Sequence, residues 1–206
     1  MGVEPLFPAI AISRLRMATD GQGVTTLVAG YGCPLRCRYC LNPQSWGEGT
    51  RVVPLTPAAL YEKVRVDDLY FQATNGGVTF GGGEPLLHAE FIRAFRALCG
   101  AKWRLSAETC LNIPPENLAV AMECVDEFIV DIKDLDPEIY RCYTGADNAR
   151  TLANLQALLD AVGAARVRVR VPNIPNYNTP ARVAESVDRL RRMGADRLEV
   201  FDYIIR

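Results

Sequence analysis

The residues best suited to chemistry are three cysteines in the segment YGCPLRCRYCLNP, residues 31–43. Cys33, Cys37 and Cys40 have the spacing CxxxCxxC, and the glycine and prolines around them predict a loop in which three thiolates can converge. Three sulfur ligands from one short loop suit a cubane iron–sulfur cluster. Because no fourth ligand stands nearby in the sequence, one iron is expected to stay open, as at a catalytic metal site.

A zinc site or incidental burial in the core would account for these cysteines less well. Structural zinc takes four ligands, whereas the only histidine is His88 and no second CxxC pair exists. Incidental core cysteines rarely cluster in a loop rich in glycine and proline. An odd total of seven cysteines favours a reducing compartment over a disulfide framework. The four remaining cysteines are scattered and expected in the core: Cys99, Cys110, Cys124 and Cys142.

Polar motifs also follow later predicted strands. The run GGGEP, residues 81–85, lets a backbone approach a ligand closely and present its N–H and C=O groups. Two further strands end in Glu108-Thr109 and in Asp131-Ile132-Lys133. Carboxylates and a lysine that converge could pair with the charges of a zwitterionic ligand.

The segment RVRVRV, residues 166–171, alternates strictly between arginine and valine. A strand with this period has Arg166, Arg168 and Arg170 on one face and the valines on the other. If the valines pack under helices, the arginines line the polar interior of the fold.

These motifs need a scaffold that brings strand ends together. Six strands are predicted: Thr25–Ala29, Gly77–Phe80, Trp103–Ala107, Glu127–Asp131, Arg166–Val171 and Leu198–Tyr203. Five helices are predicted among them: Pro57–Ala73, His88–Cys99, Pro115–Cys124, Leu152–Val162 and Pro180–Met193. Alternating strands and helices predict an α/β fold with a parallel sheet and outer helices. Six units suit a partial (β/α)6 TIM-like barrel, whose chemistry sits at the carboxyl ends of the strands.

Length and composition limit the remaining possibilities. A chain of 206 residues fits one domain, 1–206, with an N-terminal extension over about 1–22. The formal net charge of −1 gives no basic field for nucleic acid or an anionic membrane. No secretory leader or spanning segment is evident, since the apolar stretch Leu6–Ile12 is short and contains Pro8. A cytoplasmic protein is therefore expected.

CxxxCxxC with an aromatic residue before its third cysteine, followed by GGGEP after the next strand, resembles the signature of the radical S-adenosylmethionine (SAM) superfamily. The resemblance implies a [4Fe–4S] cluster on the three loop cysteines, with its open iron chelated by SAM. It implies that SAM is cleaved reductively to a 5′-deoxyadenosyl radical, which abstracts a hydrogen atom. By the same resemblance, Tyr39 lies against the adenine, and Gly82, Gly83 and Glu84 bind the SAM amino group.

A finer resemblance is to the compact activating enzymes of glycyl-radical enzymes, of the pyruvate formate-lyase type. It rests on D-G-x-G at residues 20–23, N-P…W at 42–46, D-x-K at 131–133 and R-x-P-x-I-P at 170–175. In those enzymes an Asp-Thr pair and the D-x-K aspartate hold a monovalent cation beside the SAM carboxylate.

Carried over residue by residue, this resemblance implies that Glu108, Thr109 and Asp131 bind the cation. It also implies that Lys133 and Arg170 lie around SAM. The chain also departs from the pattern at Leu41, where a histidine is common, and in three places later in the sequence. Glu108 replaces the aspartate, Asn176 replaces a glycine, and the segment Phe201–Ile204 holds no histidine where the pattern has one.

The resemblance implies an iron–sulfur enzyme that installs a glycyl radical on a partner enzyme, acts as a monomer and is reduced by flavodoxin or ferredoxin. A radical SAM enzyme that acts on a small molecule or modifies a peptide is the alternative. A non-catalytic iron–sulfur redox or sensor module is a remote third possibility, because it leaves GGGEP and the strand-end charges unexplained.

Overall fold

The computed structural model describes residues 4–17 and 19–203. Within them, eight strands form one open sheet in the order β3-β1-β2-β4-β5-β6-β7-β8. The strands are β1 (Phe7–Met17), β2 (Val24–Gly30), β3 (Val53–Leu55), β4 (Gly77–Gly82), β5 (Arg104–Thr109), β6 (Glu127–Asp131), β7 (Val167–Asn173) and β8 (Arg197–Asp202). The six predicted strands correspond to β2 and β4–β8, which pair in parallel throughout. The α/β class and its partial, open form are confirmed.

Seven α-helices connect or flank these strands in the described residues. They are α1 (Pro57–Val64), α2 (Asp68–Thr74), α3 (Ala89–Cys99), α4 (Pro115–Cys124), α5 (Pro137–Thr144), α6 (Ala149–Val162) and α7 (Pro180–Arg192). Several begin at the residues that the sequence indicates. The Thr56 and Thr179 side chains cap α1 and α7 by accepting hydrogen bonds from backbone N–H groups three residues on.

Helices cover one face of the sheet, and the other face is largely polar. Val78, Phe80 and Leu105 on the strands are fully buried in one core cluster with Phe91 and Phe95 of α3. Alternate residues of the same strands point the opposite way because side chains in a strand alternate. The core therefore lies on one side, and the polar side chains that could do chemistry lie together on the other.

Arg168 and Arg170 lie on this polar face as predicted, whereas the prediction for Arg166 is wrong. Arg166 ends a 3₁₀ turn, Ala164–Arg166, before β7 begins. Its guanidinium donates to the backbone carbonyls of Met122, at 3.1 Å, and Val125. The alternating sequence begins one residue before the strand does.

At the amino ends of the strands, the Glu127 carboxylate is paired with three arginines. Glu127 is fully buried and accepts hydrogen bonds from Arg168 at 3.0 Å and Arg197 at 2.8 Å. Arg104 adds an ion pair at 3.5 Å. A buried charge needs such partners, so this cluster links β5, β6, β7 and β8 across the polar face.

The antiparallel strands β1 and β3 do not follow from the sequence pattern. β1 lies in the segment predicted as an N-terminal extension and pairs with both β2 and β3. Phe7 begins it and is fully buried, with its ring 5.6 Å from Phe80 and 5.3 Å from Phe91. Gly30 makes room for this ring, since a Cβ there would lie 2.7 Å from the Phe7 ring. The prolines in both strands obscure the strand pattern.

Helix α5 is also additional to the predicted elements, and one predicted helix is divided in two. The segment 57–74 contains α1, a 3₁₀ turn at Arg65–Asp67, and α2. Asp67 of this turn is buried and bonded by Arg14 of β1 and Thr26 of β2. The turn between α1 and α2 thus connects these helices to β1 and β2 through Asp67.

The D-G-x-G loop folds onto the polar face of the sheet. The Thr79 hydroxyl donates to the Asp20 carbonyl, and a Cβ on Gly21 would lie 3.0 Å from the Ser106 hydroxyl. Asp20 is buried and ion-paired with Arg16. The loop therefore covers part of the polar face at β4 and β5.

None of the helices in the described ranges is both long and apolar enough to cross a bilayer. The single-domain boundary of 1–206 stays a prediction, because residues 1–3, 18 and 204–206, Ile204 among them, lie outside the described part.

The position of Phe7 predicts that β1 is integral to the core. Phe7→Ala should lower the free energy of unfolding by about 3–5 kcal/mol, because a large buried ring is lost and a cavity remains. Denaturant unfolding of the cluster-free protein measures this. Leu6→Ala is the matched control: Leu6 is 50% exposed, so its loss should cost roughly 0.5 kcal/mol or less. Equal effects of the two variants would contradict an integral β1.

Candidate active site

The motifs singled out in the sequence meet at the carboxyl ends of the parallel strands. The cysteine loop follows β2, GGGEP begins with the last two residues of β4, Glu108 and Thr109 end β5, and Asp131 ends β6. Because neighbouring parallel strands end at the same edge, these groups share one side of the sheet. The sheet order β2-β4-β5-β6 makes the four strands that carry them adjacent.

The glycine turn is bonded directly to the backbone that leads into the cysteine loop. The Gly83 N–H donates to the Gly30 carbonyl at 3.0 Å, and the Glu84 N–H donates to the Gly32 carbonyl at 2.7 Å. A Cβ on Gly83 would lie 2.2 Å from the Gly32 oxygen, so only glycine allows this approach. The turn thus positions the loop that carries the cysteines.

Helix α5 supports the other side of the cysteine loop. The N–H groups of Arg36 and Arg38 donate to the carbonyls of Thr144 at 2.8 Å and Tyr143 at 3.0 Å. Carbonyls in the last turn of a helix have no partner within the helix, so they are free to accept these bonds. The Arg36 guanidinium also lies 5.1 Å from the centre of the Trp46 ring, a cation–π contact within the N-P…W motif.

The three loop cysteines are all half-buried, and a fourth lies against one of them. Cys110, just beyond β5, is buried with Leu35, and Cys33 packs against it. The adjacent Cys110 thiol lowers the pKa of Cys33, although burial acts in the opposite direction. Burial raises the pKa of Cys37 to about 11, and the nearby Lys133 ammonium partly offsets this. Cys110 is expected from the sequence only as a core residue, and its position there gives no signal of this contact.

These cysteines fit an iron–sulfur cluster. In the described ranges, no three His, Cys, Asp or Glu side chains are grouped to hold a single metal ion. A cubane cluster makes a different demand, since each thiolate binds a separate iron atom. Three half-buried thiols on one short loop, which backbone hydrogen bonds hold in place, suit this demand.

Glu84 has its carboxylate turned into the protein. It is buried and accepts hydrogen bonds from the Thr109 hydroxyl and the Cys110 N–H, both at 2.8 Å, and from the Leu86 N–H at 3.1 Å. Burial raises the pKa of this carboxyl, and Cys110, Thr109 and Leu86 oppose that shift. The side chain therefore joins the glycine turn to the end of β5.

Four charged side chains form a chain across β5, β6 and β7. Arg170 donates to Asp131 at 2.5 Å and to Glu108 at 3.1 Å, and Lys133 donates to Asp131 at 3.1 Å. Burial disfavours ionisation of Asp131, but Lys133 and Arg170 outweigh it and hold the pKa of that carboxyl below its ordinary value. Asp131 in turn holds the pKa of Lys133 above its ordinary value, despite burial.

Tyr39 lies in a group of tyrosines from three other segments. Its ring is 5.6 Å from Tyr177, 6.0 Å from Tyr143 and 6.5 Å from Tyr203. Such offset and edge-on contacts orient aromatic rings. The ring before the third cysteine is thus held by residues after β7, on α5 and after β8.

The departure at Asn176 is accommodated by the structure. Asn176 has φ +69°, in the left-handed region that a glycine would adopt and that asparagine tolerates better than most residues. Its side chain donates to the Tyr39 hydroxyl at 3.3 Å. The substitution therefore keeps the backbone conformation and adds a contact to the cysteine loop.

Tyr203 lies just after β8, in the segment where the pattern has a histidine. Its hydroxyl donates to the Tyr39 carbonyl at 2.7 Å. The sequence does not predict this contact, because the family pattern indicates only an imidazole in this segment. The hydroxyl connects the last described strand to the cysteine loop.

Comparison with known proteins agrees with this geometry. The sequence model of the radical SAM superfamily matches residues 27–179. The pyruvate formate-lyase-activating enzyme of Clostridium pasteurianum is 36% identical over 61% of this chain and 52% of its own length. The (2S)-3-sulfopropanediol dehydratase activating enzyme of Klebsiella oxytoca is 28% identical over 77% of this chain and 69% of its own length. The chain thus spans about half the length of the first of these relatives.

A solved structure shows the same fold. The structure of Streptococcus suis SuiB bound to S-adenosylmethionine superposes with a TM-score of 0.64 at 16% identity, over 84% of this chain and 39% of SuiB. A [4Fe–4S] cluster and SAM are the cofactors of the matched superfamily, which confirms the expectation of these two cofactors. The family match covers most of the chain and includes the cysteine loop, the glycine turn and the strand-end charges, so this chain belongs to the radical SAM superfamily.

Proposed function

We propose that this protein activates a glycyl-radical enzyme: it cleaves SAM reductively and removes a hydrogen atom from a backbone glycine of its partner. The observation that carries the proposal is the convergence of three loop thiols, the glycine turn and a charged network at one edge of the sheet. Activating enzymes among its relatives support it.

The cysteines and the glycine turn would bind the reacting groups. In this proposal Cys33, Cys37 and Cys40 hold the cluster, which supplies the electron for SAM cleavage. The ammonium end of SAM needs acceptors, and the carbonyls of Gly82 and Gly83 can supply them while their neighbouring N–H groups hold the loop. Glu84 then acts by fixing the turn to β5 through Thr109.

The charged network and the tyrosines would orient the rest of SAM. Arg170 and Lys133 are held in place by carboxylates, so their donors are already oriented before a ligand binds. Tyr39 would stack on the adenine, with Tyr203 and Asn176 holding its loop. A preorganised, half-buried site of this kind also limits access of water to a reactive intermediate.

The proposal includes partners that only experiment can identify. The substrate is a glycyl-radical enzyme, the electron donor is flavodoxin or ferredoxin, and the protein acts as a cytoplasmic monomer. The two named relatives act on different enzymes, pyruvate formate-lyase and a sulfopropanediol dehydratase, so the family allows more than one partner.

The decisive experiment is anaerobic turnover of the reduced, cluster-loaded protein with SAM and candidate glycyl-radical enzymes. Deoxyadenosine and methionine are measured by mass spectrometry, and the glycyl radical is detected as an EPR doublet. A partner in which the acceptor glycine is alanine is the control and should give no doublet. Deoxyadenosine without a radical on any candidate would redirect the search to small-molecule or peptide substrates.

Loss of any loop cysteine should abolish this chemistry. Cys33→Ala, Cys37→Ala and Cys40→Ala should each remove most cluster absorbance and reduce deoxyadenosine formation to background, because each removes an iron ligand. Cys142→Ala is the matched control and should be silent, since Cys142 is exposed on α5 and the prediction of a core position for it is wrong. Normal cluster content in the loop variants would contradict the assigned ligands.

The hydroxyl of Tyr203 should matter for SAM binding although it forms no part of the cysteine motif. Tyr203→Phe keeps the ring and removes the bond to the Tyr39 carbonyl, so SAM affinity should fall roughly fivefold, as expected for about 1 kcal/mol. Calorimetric titration of the cluster-loaded variant measures it. Tyr177→Phe is the control, because the described residues offer its hydroxyl no hydrogen bond. Unchanged affinity in Tyr203→Phe would remove Tyr203 from the site.

A further inference from the structure

Glu108 and Asp131, the two carboxylates that the resemblance assigns to a monovalent cation, are already paired with positively charged side chains. Arg170 spans both, with Nε on Asp131 at 2.5 Å and Nη1 on Glu108 at 3.1 Å. Lys133 takes the second oxygen of Asp131 at 3.1 Å. Two carboxylates, one guanidinium and one ammonium have a formal sum of zero, so the group is neutral without an added ion.

The Thr109 hydroxyl, the third group assigned to that cation, does not face Glu108 and Asp131. The Thr109 hydroxyl donates to Glu84 at 2.8 Å and accepts from the Leu111 N–H at 2.9 Å. Thr109 is buried, and as the strand neighbour of Glu108 it faces the opposite side of the sheet. Glu108, Thr109 and Asp131 therefore do not surround one point.

The longer side chain of Glu108 explains why its carboxylate reaches the arginine. Its second oxygen lies beside Gly81 of β4, where a Cβ would be only 2.9 Å away. Glu108 thus extends over the polar face between β4 and β7.

We propose that Arg170, together with Lys133, is the built-in counter-cation of Glu108 and Asp131, and that this site takes no monovalent metal ion. A sodium or potassium ion would have to lose its water to enter a group that is already neutral. The pairing stands on geometry alone. Its consequence for SAM binding rests on the proposed function.

Two measurements on the cluster-loaded wild-type protein test the proposal. SAM affinity by anaerobic calorimetry and the melting temperature are compared in sodium, potassium and choline chloride at equal ionic strength, which keeps general screening constant. Both should be the same in all three salts, with SAM affinities within about twofold. A saturable gain of about fivefold or more in sodium or potassium over choline would overturn the proposal.

A variant then tests the role of Arg170 itself. Arg170→Gln leaves two carboxylates with one lysine, so sodium or potassium should now raise the melting temperature, by on the order of 5 °C, relative to choline. Arg168→Gln is the matched control: it lies on the same strand face but bonds Glu127, and its melting should stay independent of the cation.

The outcomes separate this inference from the proposed function. If the Arg170→Gln protein folds and its melting temperature is the same in sodium, potassium and choline, the proposed role of Arg170 is overturned. If that variant does not fold, the wild-type salt series decides alone. Absence of SAM binding in every salt would count against the proposed function, whereas the melting comparison would still test the counter-cation.

Discussion

The site depends first on how closely the glycine turn approaches the backbone before the cysteine loop. With Gly83 against the Gly32 carbonyl, no side chain separates the end of β4 from the end of β2. Two backbone hydrogen bonds hold the segments in one register, and Glu84 extends the connection to β5. Three strand ends therefore act as one rigid support, which is what a loop with three metal-binding thiols requires.

Charge on the polar face is likewise shared between strands. Glu127 joins arginines at the amino ends of the strands, and Arg170 joins carboxylates nearer the carboxyl ends. Each of these charges has an opposite neighbour on another strand, as burial demands. Side chains that orient a ligand thus also hold adjacent strands together, so the site and the sheet share their stabilising contacts.

The sequence predicts the parallel strands and the motifs at their ends, because both follow from local periodicity and spacing. Local periodicity does not predict β1, because Pro8 obscures its strand pattern and its antiparallel partners are specified only by the assembled sheet. Helix α5 had a readable signal: Asp136 caps it, Pro137 begins it and Gly145 ends it. Contacts such as Cys110 with Cys33 join distant segments, and no local pattern encodes them.

The supports of the cysteine loop come from widely separated parts of the chain, and this has a consequence for biogenesis. Arg36 is bonded to Thr144, and Tyr39 is bonded to Tyr203. Contacts of such high sequence separation form late in folding, because the entropy of closing a long loop must be overcome first. On the ribosome, the loop cannot reach its final shape until nearly all of the described chain has emerged. Insertion of the cluster into the finished site therefore has to follow synthesis of the segments that carry these supports, Tyr203 included.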